Sequence, residues 1–158
     1  MLCERVLEHN LAAQGYVIFH PQLESFETQI AAYLGAKTII SPDNSALHLA
    51  AFVGHSAQHI AVLLRRVQGA VDLLPQLSAF CECEPLIINA ISQIWVQEGR
   101  APANWGQYAE LSSEKIYTTL LDHGFITTEH PWRHIGPWLI KKDLAMLHSK
   151  HGGAFTAS

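Results

Sequence analysis

The sequence predicts an α/β protein built on an open, mostly parallel sheet with helices on both faces. Two observations lead to this fold class. Apolar, β-prone runs alternate with helical segments three times in about sixty residues, which is the pattern of a doubly wound parallel sheet. The strand runs are also continuously apolar rather than alternating, as expected for strands that are buried on both faces.

In the first half, each element is predicted from its apolar spacing and its boundary residues. Gly15 suits the C-terminal end of the first helix, and Ser25 suits the N-cap of the second, with Glu27 well placed in its first turn. The turn-rich tetrad 41–44, SPDN, separates a strand from the third helix. In chain order we expect a helix over 4–14, a strand over 16–19, a helix opened by Ser25, a strand over 37–40, a helix from 45 to about 52, and a strand over 58–64.

The second half is less regular. Segment 85–96 is apolar but ambiguous between strand and helix, and 99–106 is predicted to be a loop that contains Pro102 and Trp105. No internal repeat or low-complexity linker divides the chain, so we expect a single domain over 1–158 with a frayed tail over 150–158. Helices are predicted over 71–80, 112–123 and about 137–149.

The composition supports a packed core and excludes some classes of function. Hydrophobic residues make up 49% of the chain and charged residues 15%, so disorder is not expected. The formal net charge of −4 gives no basic footprint for nucleic acid. Three cysteines, an odd number without a matching second Cys-x-Cys pair, indicate a reducing compartment, with neither a disulfide framework nor a zinc site.

The sequence shows no targeting or membrane signal. The start of the chain lacks the basic and apolar regions of a signal peptide. The most apolar stretch, 46–64, is interrupted by histidine, glycine, serine and glutamine, and it is too polar to span a bilayer. We therefore expect a soluble, cytoplasmic protein without a transmembrane segment.

The best candidate for a binding site is the junction between the strand over 37–40 and the helix that follows it. In an open parallel sheet, ligands bind at the carboxyl ends of the strands. Asn44 tolerates a left-handed backbone, and the small residues Ser45 and Ala46 would let a phosphate approach the start of the helix, where N–H groups and the helix dipole attract anions. The alternative is an ordinary capped helix start.

Residues 5–66 also resemble a known family. The run 15–21, GYVIFHP, is followed by Ser25-Phe26 and Gln29, then by an Ala-x-x-Ile-Ile strand and the SALH run at 45–48. Together these motifs resemble glycosyltransferase family 61, whose bacterial members are associated with capsular and other surface polysaccharides. Two departures concern the turns: Gln22 stands where the family usually has glutamate, and Ser41 and Asn44 replace the two glycines of the loop.

The resemblance implies a Rossmann-like, GT-B-type architecture, of which this chain would be the C-terminal donor-binding half without the N-terminal acceptor domain. It implies inverting transfer of a sugar from a nucleotide-diphosphate sugar to a glycan acceptor. No Asp-x-Asp is present, so we expect the diphosphate to be held without a metal and without any other cofactor. The expected donor-binding residues are Glu24, Gln29, Asn44, Ser45, Ala46, Leu47, His48 and Arg65.

Single residues leave alternatives open. His48 is the one candidate for a catalytic role, either bonding the donor or supporting the leaving group, but a helical histidine is as often a packing residue. Glu24 and Gln29 would bond the nucleoside or lie on a solvated helix face. His55 and His59 could be a metal-binding pair, but they span a turn into a strand and have no third ligand nearby, so no metal site is predicted.

Three functions are compared. The first is a transferase that is inactive without a separate N-terminal half and whose exposed apolar surface leads to self-association. The second is a non-catalytic nucleotide-sugar-binding or interaction module. The third, a dehydrogenase, is poorly supported because no Gly-x-Gly-x-x-Gly follows any predicted strand.

Overall fold

The computed structural model describes residues 1–66, 73–98 and 107–158. These residues fall into two compact units, a central unit formed by Phe19–Asn89 and a terminal unit formed by Met1–Ile18 and Ala90–Ser158. The elements in chain order are α1 (Glu4–Ala13), a 3₁₀ turn (Pro21–Leu23), α2 (Phe26–Gly35), β1 (Thr38–Pro42), α3 (Ala46–Val53), β2 (His59–Leu63), α4 (Leu73–Cys81), β3 (Leu86–Ile88), β4 (Ile91–Gln97), β5 (Gln107–Leu111), α5 (Ser113–Asp122), α6 (Pro137–His151) and β6 (Phe155–Ala157).

The central unit is a β-α-β-α-β arrangement. Its three strands are parallel in the order β1-β2-β3, with Thr38 opposite His59 and Ala61 opposite Leu86. The middle strand β2 is buried from its second residue to its last, and the helices α3 and α4 pack against each other. Leu47 of α3 and Leu77 of α4 are among the largest fully buried side chains. The predicted α/β class is confirmed, and so are the helices and strands from 26 to 63.

The terminal unit contains a second sheet, which is antiparallel with the strand order β5-β4-β6. A register shift lies between Ile91 and Gln93 of β4. Trp95 on β4 donates its indole N–H to a carboxylate oxygen of Glu110 on β5 at 2.9 Å. The one mostly parallel sheet that the sequence predicts is thus replaced, among the described strands, by one parallel and one antiparallel sheet.

Segment 16–19, predicted as the first strand, has no regular secondary structure, so that prediction is wrong. Its side chains are held one by one instead: the Tyr16 hydroxyl donates to the Phe125 carbonyl at 2.6 Å, and the Phe19 ring packs edge-on against Tyr33. Val17 is 88% exposed. A β-prone composition produces a strand only where a neighbouring strand can pair with it, and the described strands do not pair with this segment.

The ambiguous segment 85–96 resolves into two strands of different units. β3 completes the parallel sheet of the central unit, whereas β4 is the middle strand of the antiparallel sheet. Both strands are rich in isoleucine, and their pairing partners assign them to different sheets. The first part of the predicted helix over 71–80 and the predicted loop over 99–106, with Pro102 and Trp105, lie outside the described residues.

The tail over 150–158, which the sequence predicts to be frayed, contains the end of α6 and the strand β6. Gly152 and Gly153 adopt positive φ values of 68° and 73°, a conformation that glycine reaches without strain. The chain reverses there, and Phe155 comes to lie opposite Gln97 of β4. Within the described ranges, no helix is both long and apolar enough to cross a membrane.

Candidate functional site at the carboxyl edge of the parallel sheet

The candidate site lies where β1 and β2 end in the central unit. The two strands are parallel, and their last residues, Pro42 and Leu63, lie opposite each other. The residues that follow them therefore meet at the same edge of the sheet. The Asp43 amide donates to the Leu63 carbonyl at 2.9 Å, which fixes the turn after β1 against the segment that follows β2.

Asp43 is the buried centre of this edge. Its side chain is only 1% exposed, and a carboxylate is rarely buried so deeply unless it is paired. One carboxylate oxygen, Oδ1, accepts the backbone N–H and the Nε–H of Arg65, both at 3.0 Å. Arg65 also donates from Nη2 to the Asp43 carbonyl at 2.7 Å. Three hydrogen bonds thus fasten Arg65 to Asp43.

Arg66 is held much more loosely. Its Nε lies 3.5 Å from Oδ2 of Asp43, close enough for an ion pair but not within good hydrogen-bond geometry. Among the described residues, Oδ2 is buried and has no hydrogen-bond partner. The Arg66 side chain is 45% exposed. With one carboxylate and two guanidinium groups, the cluster has a net positive charge, and no described residue accepts a hydrogen bond from the Arg66 guanidinium.

The start of α3 is partly closed by its own residues. Asn44 is the side chain that caps it, since Asn44 Oδ1 accepts the Ala46 N–H at 3.0 Å. The Leu47 and His48 amides donate to the carbonyls of Asn44 and Ser45 at 3.2 and 3.1 Å. In the described part of the chain, the amides of Asn44 and Ser45 have no acceptor. Ser45 is exposed, its side chain makes no capping bond, and Asn44 does not adopt the left-handed backbone expected of it.

The two following residues of the expected site differ in exposure. Leu47 is 1% exposed and belongs to the core. His48 is exposed, and its Nδ1 lies 2.5 Å from Oε1 of Gln76 on α4. The structure therefore joins His48 to α4 through one ring nitrogen, and Leu47 contributes to the site only through its backbone.

Glu24 and Gln29 lie around the 3₁₀ turn. The Gln29 side-chain amide donates to the carbonyls of Pro21 and Glu24 at 2.8 and 3.2 Å, so it holds the turn that precedes α2. Ser25 caps that helix as expected, its hydroxyl accepting the Thr28 N–H at 3.2 Å. No hydrogen bond or ion pair described for Glu24 or Gln29 reaches the Asp43 cluster.

Sequence reasoning missed Asp43 and preferred Arg65 to Arg66. The sequence does contain a signal for Asp43 and Arg66. An acidic residue lies in the turn after one predicted strand, and two arginines come directly after the next predicted strand. Because the carboxyl ends of neighbouring parallel strands lie side by side, that spacing predicts an ion pair at the edge. The sequence does not show which arginine forms hydrogen bonds with Asp43; the side-chain contacts show that it is Arg65.

The histidine pair at 55 and 59 is organised around a buried glutamine. Gln58 donates to the carbonyls of Tyr33 and Ala36 at 2.6 and 2.7 Å and accepts the His55 N–H at 3.2 Å. Across the described ranges, no group of three or more histidine, cysteine, aspartate or glutamate residues is arranged to hold a metal ion.

Comparisons of the chain with protein-family models, with curated proteins and with solved structures give no match.

Proposed function

We propose that the central unit binds the diphosphate group of a nucleotide sugar at the carboxyl edge of its parallel sheet, as the donor-binding part of a glycosyltransferase similar to family 61. In this proposal the three parallel strands belong to a Rossmann-like sheet of GT-B type. The observation that carries the proposal is the different bonding of the two arginines: Asp43 holds Arg65 with three hydrogen bonds, whereas Arg66 donates none to the described residues.

Each member of the cluster has a role in this proposal. Asp43 neutralises Arg65 and fixes the segment after β2. Arg66 then offers its guanidinium to the phosphate oxygens, with which arginine forms paired, charge-assisted hydrogen bonds. The amides of Asn44 and Ser45 and the positive end of α3 add oriented dipoles beside it. Of the expected donor-binding set, Arg65 changes from a ligand contact to a positioning residue, and Arg66 takes its place.

In this proposal, the positive charge of Arg66 also assists the transfer step. When an acceptor hydroxyl of a glycan attacks the anomeric carbon, the bond to the diphosphate breaks and negative charge develops on the leaving group. A guanidinium and backbone N–H groups stabilise that charge without a metal ion. The acceptor hydroxyl must give up its proton to a base, a role that is assigned to no residue here. His48, whose Nδ1 lies against Gln76, stays a candidate for bonding the donor or supporting the leaving group.

Calorimetric titration with nucleoside diphosphates and nucleotide sugars tests the proposal. We expect Arg66→Ala to weaken binding at least about tenfold, or roughly 1.4 kcal/mol, because a charge-assisted contact is lost. Arg133→Ala is the matched control: its side chain is exposed, and only its backbone bonds Asn10. A chelator should leave the affinity unchanged. If none of these nucleotides binds, or if Arg66→Ala binds as the parent does, the proposal is wrong.

Ser45→Glu tests the other half of the site. A carboxylate in the first turn of a helix is well tolerated, and Ser45 is exposed and makes no side-chain cap, so the fold should be retained. The new charge would repel a diphosphate, and binding should be lost. Undiminished binding by a folded Ser45→Glu variant would place the ligand elsewhere.

A second candidate function is a non-catalytic interaction module. It is favoured by the start of α3, where the amides of Ala46, Leu47 and His48 are all bonded within the chain, as at an ordinary capped helix. The titration above separates the two functions, because an interaction module without a nucleotide site does not bind nucleoside diphosphates. A non-catalytic nucleotide-sugar-binding module would bind them but transfer no sugar.

A further inference from the structure

The last helix of the terminal unit, α6, has one face that is covered in part and one that is open. The partly covered face is formed mainly by aliphatic residues, and the open face mixes basic, aromatic and small residues. Residues of the open face recur three or four positions apart, which places them on one side of the helix. We call this side the outer face of α6; it consists of Trp138, Lys141, Lys142, Ala145, Met146 and Ser149, all of them exposed.

The contacts that hold α6 in the terminal unit do not involve the side chains of its outer face. Asp143, on the opposite side, accepts the Cys3 backbone N–H at 2.6 Å. At the C-terminal end, the Gln97 side-chain amide donates to the carbonyls of His151 and Gly152 at 3.3 and 2.6 Å. The contact with Cys3 occupies Asp143, which is the single acidic residue of α6. The outer face is left with positive charge alone.

The charge of α6 is opposite in sign to that of the remaining chain. The helix holds three of the ten lysines and arginines and one of the fourteen aspartates and glutamates. Its formal charge is therefore +2, whereas the other residues together carry −6. An acidic protein that concentrates lysines on one exposed helix has a surface suited to an anionic partner and repels that partner elsewhere.

The apolar members of the outer face favour a lipid partner over an acidic polypeptide. Trp138 is 68% exposed and Met146 is 55% exposed, two turns further along the helix. The Lys142 ammonium lies 5.4 Å from the centre of the Trp138 ring, so the charge and the aromatic ring occupy the same patch. Tryptophan prefers the boundary between headgroups and acyl chains, and a basic amphipathic helix lies in the plane of that boundary.

We propose that the outer face of α6 docks the protein on an anionic lipid surface. The lysines contact phosphate-bearing headgroups, and Trp138 and Met146 enter the interfacial layer. The helix has fifteen residues, a length of about 22 Å at the usual rise per residue, which is enough to hold several headgroups at once. The association is peripheral and reversible, and because it depends on lysine charge it weakens as salt is added.

Co-sedimentation of the full chain with vesicles tests this docking. Vesicles of phosphatidylcholine alone are compared with vesicles that contain about 30% phosphatidylglycerol, at low and high salt. We expect binding only to the anionic vesicles, and a loss of at least tenfold in affinity for the variant that combines Lys141→Glu with Lys142→Glu. The matched control combines Lys37→Glu with Lys115→Glu, two exposed lysines outside α6; it changes the net charge equally and should bind within twofold of the parent.

A second measurement does not depend on the charge variants. The blue shift of tryptophan emission on adding anionic vesicles should disappear in Trp138→Phe, and Trp138→Ser should weaken binding several-fold. Circular dichroism confirms that each variant is folded. The proposal fails if the parent does not bind anionic vesicles, if both charge pairs lose binding equally, or if Trp138→Phe keeps the full shift. It also fails if polyglutamate binds the parent as tightly as the vesicles do, since the partner is then an acidic polypeptide.

Discussion

The two units use carboxylates and strands in different ways. In the central unit, Asp43 is almost fully buried and faces two guanidinium groups. In the terminal unit, Asp143 is half-buried and accepts one backbone N–H. The strands β2 and β6 also differ in burial: β2 is buried from its second residue to its last, whereas no residue of β6 is buried. The difference teaches that a buried ion pair fixes the carboxyl edge of the central sheet, whereas the carboxylate of Asp143 makes one part-buried hydrogen bond that is easier to replace.

The largest expected effect comes from removing the two carboxylates. Asp43→Ala leaves two arginines without their partner and the Arg65 amide without an acceptor, and it should cost about 3 kcal/mol of unfolding free energy. Asp143→Ala removes one bond to the Cys3 amide and should cost about 1 kcal/mol. Urea unfolding of both variants measures the difference. Equal losses would contradict the comparison between a buried charge cluster and a single part-buried hydrogen bond.

The next effect concerns packing density around α3, α4 and β2. A Cβ on Gly54 would lie 2.6 Å from the Cys81 sulfur and 2.8 Å from the Ala50 carbonyl oxygen. Gly54→Ala should therefore destabilise the protein by about 2 kcal/mol through overpacking. Gly35, at the end of α2, has open space around it, and Gly35→Ala should be neutral or slightly stabilising. Thermal unfolding that ranks the two variants in the opposite order would show that the centre of this unit is loosely packed.

The smallest effect per residue is a dependence of stability on alkaline pH, which concerns one thiol in each unit. Burial raises the pKa of the Cys81 thiol from 9.0 to about 11, with a smaller contribution from Cys83. Burial also raises the pKa of Cys3 to about 11, and there Asp143 adds to the effect. Because both folded values lie above the unfolded value, this stabilisation is complete below pH 9 and is lost as the pH rises toward 11. At about pH 10 each thiol should account for about 1.4 kcal/mol of lost stability.

Denaturant unfolding at pH 8 and at about pH 10 measures this loss, with Cys81→Ala and Cys3→Ala showing a shallower decrease than the parent. Asp143→Asn distinguishes the two thiols. It should reduce the pH dependence that Cys3 contributes and leave the contribution of Cys81 unchanged. A decrease that is unaffected by all three substitutions would assign the pH dependence to other groups.

The sequence predicted the central unit well because its signals are local. The N-cap at Ser25, the turn over 41–44 and the apolar runs of β1 and β2 depend on residues close together in the chain. Capping and helical spacing act within one or two turns, so a linear reading captures them. The same holds for α5, whose N-cap Ser112 accepts the Lys115 N–H at 3.2 Å.

The candidate site was predicted in position more than in its residues. The edge after β1 was found from the strand, turn and helix pattern, but Asp43 was passed over. Arg65 and Arg66 are adjacent and chemically identical in the sequence. Which one is fastened to Asp43 and which one stays available depends on the direction of the chain after β2. The assignment of a nucleotide sugar to this edge stays a prediction.

By itself, the sequence determined the α/β class, most helix boundaries and the edge at which Asp43 and the arginines meet, because periodicity, caps and strand ends are properties of neighbouring residues. Only the tertiary structure decided that segment 16–19 is not a strand, that 85–96 is divided between two sheets, and that the C-terminal residues form β6. Strand pairing is a contact between segments far apart in the chain, such as Gln97 with Phe155, and a β-prone run has no definite structure until such a partner supplies its hydrogen bonds.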